Sequence, residues 1–128
     1  MTMENIKATE KDGTSTENKI QQQMFLWFVN NYSLKDNIKG IFASVPNDSK
    51  DAKEQMRKKA TGMKVGHADF NVYLPNGKVL MFEVKTPIGK QSDHQKRFEL
   101  EMKCLGFEYY IVRSLEEFKN IIETKWLT

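Results

Sequence analysis

The chain has one cysteine, Cys104, in 128 residues. A lone thiol excludes an internal disulfide framework and suits a reducing compartment, so a cytoplasmic location is expected, in the host cytoplasm if the protein is viral. Cys104 falls in a helical pattern with no histidine placed to activate it, and reads as a core residue rather than a nucleophile. No apolar run approaches the roughly 18 residues of a membrane span, so no membrane partner is expected. The first fifteen residues lack the apolar stretch of a signal peptide. There is no internal repeat, no low-complexity linker, no zinc finger and no aromatic RNA-binding signature. A net charge of only +3 permits a polyanionic partner without requiring one.

What is present suits a single globular domain. A chain of this length can build a core without disulfide or metal staples. Residues 1–14 are polar and expected to be poorly ordered, leaving 15–128 as the folded unit. Apolar residues Ile20, Met24, Trp27 and Phe28 recur at helical spacing and predict a helix over 15–31, followed by a loop over 33–39. Residues 40–45 read as a short strand and Pro46-Asn47-Asp48 as a turn. Asp48 or Ser49 would then cap a helix ending near Ala60, with Arg57, Lys58 and Lys59 in its last turn. Residues 92–105 predict a helix turning Phe98, Met102 and Leu105 inward, stopped by Gly106. Residues 107–112 read as a strand. Ser114 and Glu117 have capping-box spacing before a last helix to Lys125. The order α-β-(α)-β-β-α-β-α implies an α/β fold, a mixed central sheet flanked by helices.

The chemistry concentrates between His67 and Lys85, which read as two strands around Pro75-Asn76-Gly77. A two-residue loop would pair Leu74 with Val79 and send Asp69 and Glu83 to opposite faces. A three-residue loop pairs Leu74 with Lys78 and sets Asp69 across from Glu83 and His67 across from Lys85. Proline suits the first turn position and glycine the left-handed residue that follows, so the three-residue loop fits better. It also gathers Phe70, Val72, Leu74, Leu80, Phe82 and Val84 on one apolar face.

Glu83 and Lys85 share the other face, because strand side chains alternate with period two. Two opposed acids repel unless a cation sits between them. One reading is therefore a divalent-metal and phosphate site. The plainer reading is a cross-strand salt-bridge cluster of Asp69, Glu83 and Lys85. Other Glu-x-Lys pairs lie in predicted helices, where residues two apart do not face each other. Basic residues Arg57, Lys58, Lys59 and Lys64 precede Asp69, and Lys90, Lys96 and Arg97 follow Lys85. They could form a phosphate-tracking rim, although Arg57 to Lys59 equally suit a helix C-terminus. His67 and His94 read as ordinary exposed histidines.

Taken together, Glu17-Asn18-Lys19-Ile20-Gln21, Gly66-His67-Ala68-Asp69-Phe70, Phe82-Glu83-Val84-Lys85, Gln91-Ser92-Asp93-His94-Gln95 and the strand ending in Val112-Arg113 resemble the VRR-NUC family of PD-(D/E)xK nucleases. The resemblance spans residues 15 to 125 and implies a restriction-endonuclease-like fold. It implies metal binding by Asp69 and Glu83, with the Val84 carbonyl as a further ligand and Glu17 assisting. It implies catalysis by Lys85 and a site role for Gln95, with Gln91 among the residues meeting the nucleic acid. Glu17 and Gln95 also have capping-box partners, Thr14 and Ser92, and could serve only those. Ala68 stands where the family usually has proline.

The resemblance further implies magnesium as cofactor, with manganese expected to substitute. With no base-reading motif in the chain, DNA is expected to be read by shape rather than sequence. Small free-standing members look like homodimers that cut branched, four-way DNA. The expected activity is thus a divalent-metal-dependent endodeoxyribonuclease. The alternatives are a non-cleaving nucleic-acid-binding or regulatory module on the same fold, and an RNA-cutting relative.

Overall fold

The computed structural model describes residues 16–46 and 51–126. The elements run α1 (Thr16–Tyr32), β1 (Ser33–Leu34), β2 (Asn37–Ile38), β3 (Ile41–Ser44), α2 (Ala52–Ala60), β4 (Phe70–Leu74), β5 (Lys78–Val84), α3 (Asp93–Cys104), β6 (Glu108–Val112) and α4 (Leu115–Trp126). The expectations for residues 1–14, for Thr14 and for the caps Asp48 and Ser49 fall outside the described residues.

The hairpin β4–β5 has the three-residue connection. Leu74 pairs with Lys78 and Phe70 with Phe82. Asn76 as well as Gly77 is left-handed, with φ of 67° and 72°, where a single left-handed glycine was expected. Asparagine tolerates that region better than most residues. Strand β3 adds antiparallel to β4, and β6 adds parallel to β5, giving the order β3-β4-β5-β6. A parallel pair needs a crossover, and α3 supplies it.

The two faces of the sheet bury different clusters. Phe70, Val72, Leu74, Leu80, Phe82 and Val84 pack with Met24 and Phe28 of α1 and Phe118 and Ile122 of α4. The opposite face carries Met81 and Tyr109 under Phe98 of α3, with Ala68. The order of elements and the helices on both faces match the α/β expectation.

Several local expectations are corrected. Residues 33–39 are a small hairpin, Ser33 pairing with Ile38, rather than an open loop. The cap of α2 is Asp51, whose carboxylate accepts from the Lys53 N–H at 2.9 Å. This helix buries no residue and relies on its ends. Leu105 and Cys104 are exposed, not core. They lie at the end of α3, beyond the part that covers the sheet. Of the box expected between Ser114 and Glu117, one half forms, the Glu117 N–H donating to Ser114 Oγ at 3.2 Å, while the Glu117 carboxylate accepts from the Arg113 N–H at 2.6 Å, one residue upstream of the expected donor.

Gly66, at φ +81°, sits where the loop into β4 touches α3. A Cβ there would lie 2.4 Å from the His94 carbonyl oxygen, so only glycine fits.

Candidate active site

Glu83 occupies the face of β5 turned toward α3 and is fully buried. Its Oε1 accepts from the Tyr109 hydroxyl at 2.6 Å and from Gln91 Nε2 at 3.0 Å. Gln91 Nε2 also reaches Glu99 Oε1 at 3.0 Å, and Glu99 is paired with Lys103 at 2.7 Å. Burial and the bond to Glu83 push the Tyr109 hydroxyl well above its ordinary pKa, so it stays a donor. Glu83 Oε2 has no hydrogen-bond partner among the described residues. Its nearest counter-charge is Lys85 Nζ at 3.8 Å. A buried carboxylate oxygen without a bond costs free energy and calls for a positive group.

Asp69 sits just before β4 and is held from both neighbouring strands. Its N–H donates to Phe82 O at 2.9 Å, and Val45 N–H donates to its carbonyl at 2.8 Å. Val84 N–H donates to Asp69 Oδ2 at 2.6 Å. The carboxylate thus takes the acceptor role that a backbone carbonyl would have in a continuing ladder. The ladder itself ends at Phe70–Phe82, one step short of the expected Asp69–Glu83 pair.

The Asp69 pKa stands raised to about 6 on balance: burial is the largest cause, and the Val84 bond partly offsets it. The charges of Glu83 and then Glu17 contribute to the rise, and Lys85 opposes it. These four side chains therefore share one electrostatic environment. Lys85 is nearly buried, and its N–H bonds Val112 O at 3.0 Å. Arg113 Nη1 bonds the carbonyls of Thr86 and Gly89, both at 2.7 Å, and pins the turn that follows Lys85.

Other sequence-derived candidates divide. Glu17 is half-buried in the first turn of α1. Gln95 is spent on the start of α3: its Oε1 accepts from Ser92 N–H at 2.9 Å, and its own N–H bonds Ser92 Oγ at 3.2 Å. The glutamine that reaches the acids is Gln91. His67 is half-buried against the Phe98 ring at 4.4 Å rather than exposed. Lys58 and Lys64 line a cleft of about 320 Å³ with His67 and Val45, and are paired with Glu54 and Glu101 at 3.1 Å. Arg97 lines a separate cleft with Leu100 and Leu105. Arg57, Lys59, Lys90 and Lys96 are exposed.

Sequence reasoning missed Tyr109. In β6 it lies two residues before Ile111, the partner of Glu83, and so on the same face. That signal exists only once the parallel pairing is known.

Among the described residues, no three acidic, histidine or cysteine side chains gather closely enough to ring an ion. The pair Asp69 and Glu83 does fit a cation that takes one or two carboxylates and keeps its waters, as magnesium does. The bare Glu83 Oε2 and the disfavoured charge on Asp69 are the features such an ion would relieve.

The VRR-NUC domain family model matches residues 7–116. The chain belongs to the VRR-NUC domain family. Two solved structures resemble this VRR-NUC chain. One, titled a VRR_NUC domain protein, has a TM-score of 0.66 at 16% identity, covering 87% of this chain and 88% of its own. The other, titled a VRR_NUC domain, has a TM-score of 0.59 at 20% identity, covering 86% of this chain and 97% of its own. At these identities the likeness establishes the fold, a mixed α/β sheet. No curated protein matches the chain. Membership in VRR-NUC implies a nuclease-type function.

Proposed function

We propose that this VRR-NUC domain is a divalent-metal-dependent endodeoxyribonuclease acting on structured or branched DNA. One observation carries the reading. Glu83 is fully buried with Oε2 unbonded, beside an Asp69 whose charge is disfavoured and a lysine 3.8 Å away. A plain salt-bridge cluster gains nothing from a fully buried carboxylate whose second oxygen makes no hydrogen bond.

In this reading Asp69 and Glu83 hold magnesium, or manganese in its place, with the Val84 carbonyl as a further ligand and Glu17 at the edge. When bound, the ion offsets phosphate charge and acidifies a water. Lys85 orients the attacking water or steadies charge on the phosphate oxygens. Tyr109 and Gln91 hold Glu83 Oε1, leaving Oε2 for binding. Lys64, Lys90, Lys96, Arg97 and the α2 residues Arg57, Lys58 and Lys59 track backbone phosphates, so duplex shape rather than sequence sets affinity. On four-way DNA two copies act together.

A second reading, a module that binds DNA without cutting, draws on the burial of Glu83, which an ion has to reach. One assay separates them. Supercoiled plasmid, a four-way junction and a single strand are incubated with magnesium, manganese or EDTA. Cutting that requires the metal and is lost in Glu83→Ala is expected. Cutting that survives EDTA would sink the mechanism, and tight binding with no cutting would favour the second reading.

A further inference from the structure

Between α1 and β3 lies a cleft of about 400 Å³ lined by Asn18, Gln21, Gln22, Phe25, Phe42 and Ser44. We infer that it receives an unpaired nucleobase of the DNA strand being cut, an inference that rests on the nuclease reading above.

The lining decides the class of ligand. None of the six residues is charged, which disfavours a phosphate or a cation. Three amides and a hydroxyl offer donors and acceptors together, as the edge of a heteroaromatic base requires. Phe25 meets Phe42 edge-to-face at 5.3 Å, and Phe42 stacks on Phe70 at 4.0 Å. That is a fixed aromatic wall of the kind on which bases stack. The volume lies within the roughly 300–1,000 Å³ of small-molecule sites.

Gln22 adds an unmet demand. Its Oε1 is buried and has no hydrogen-bond partner among the described residues. The torsion carrying the amide is soft, so turning the oxygen toward the cleft costs little and gains a bond from a donor there. Each DNA base carries such a donor. A ring inserted among these six residues has left its duplex partner, as in base flipping. The ligand is therefore a base from a single strand or a branch point.

Position ties the cleft to the acids. Asn18 follows Glu17, whose charge acts on Asp69. Ser44 pairs with Phe70, and the next residue, Val45, bonds the Asp69 carbonyl. The cleft opens on the α1 face of the sheet and Glu83 on the α3 face, so a strand whose phosphate lies at Asp69 and Glu83 must bend round the sheet end that bears Asp69 to seat a base there.

The test compares two fluorescein-labelled 20-nucleotide single strands in EDTA by anisotropy, one of mixed sequence and one fully abasic. The mixed strand is expected to bind at least about tenfold tighter. Gln22→Leu and Ser44→Val should each shrink that ratio at least about threefold and leave abasic affinity unchanged. Gln22→Leu should melt no lower than the natural chain, because it removes an unbonded buried oxygen. If it does not fold, Ser44→Val carries the test alone. Equal affinity for the two strands, or an unchanged ratio in the folded variants, overturns the inference. Magnesium-dependent plasmid cutting would then leave the nuclease reading standing. Binding to neither strand overturns it as well, and the plasmid assay judges the nuclease reading separately.

Discussion

The Tyr109 hydroxyl donates to Glu83 Oε1 at 2.6 Å, linking two parallel strands through a buried side-chain bond. A hydrogen bond to a charged group contributes about 1.5–3 kcal/mol. Tyr109→Phe keeps the ring and removes that bond. We expect plasmid cutting to slow about tenfold and the magnesium requirement to rise, since tenfold corresponds to about 1.4 kcal/mol. A magnesium titration of plasmid nicking checks this, with circular dichroism reporting an intact fold. Unchanged kinetics would mean that Tyr109 does not position Glu83.

Glu83→Gln and Lys85→Ala act on the proposed chemistry directly. Each should lower metal-dependent cutting at least about 100-fold, in the range seen when a charge-stabilising group is lost. Junction cleavage at saturating magnesium measures it. Retention of more than a tenth of the rate in either variant would remove that residue from the mechanism.

Asp69 makes stability depend on pH in a stated direction. Its folded pKa of about 6 lies above the ordinary 3.8. Between those values the folded state keeps a proton that the unfolded state has lost, so stability falls as pH rises through the window. Below about pH 4 no penalty exists. Above about pH 6 the whole of it applies, on the order of 1–2 kcal/mol once partial solvent screening is discounted. Asp69→Asn keeps an acceptor for the Val84 N–H and carries no charge. In EDTA it should be the more stable chain at pH 7.5, and the two should converge near pH 4. Urea midpoints at both values test this. A gap that widens toward acid would contradict it.

Gln91 and Gln95 lie four residues apart and separate cleanly. Gln95→Ala should cost roughly 0.5–2 kcal/mol of stability, as loss of a helix cap does, with little effect on the rate per folded molecule. Gln91→Ala should slow cutting severalfold at a smaller cost in stability. Melting curves and cutting rates on the same preparations decide. The reverse pattern would restore Gln95 to the site.

The hairpin was legible because period-two patterning and Pro75-Asn76-Gly77 are local signals. Asp69, Glu83 and Lys85 follow from its register. The residues that hold Glu83 were not legible. Tyr109 reaches it through a parallel pairing set by a helical crossover, and no local pattern announces that register. Gln91 precedes the predicted helix start at Ser92 and has no local signal of its own, so its bond to Glu83 emerges only in the fold. Cys104 and Leu105 continue the helical pattern of α3, yet they run past the sheet, and only the sheet's extent reveals their exposure. Arg113 stood out only as the end of a strand, while its work on Thr86 and Gly89 lies across the fold.

Gly66 lets the main chain entering β4 rest against the His94 carbonyl. Any side chain there would act as a wedge, prying the segment that bears Asp69 away from the helix whose leading turn follows Gln91. The seat of Asp69 against that helix is thus guarded by an atom that is missing, and a mutation at an uncharged residue would silence the proposed cutting by opening that seam.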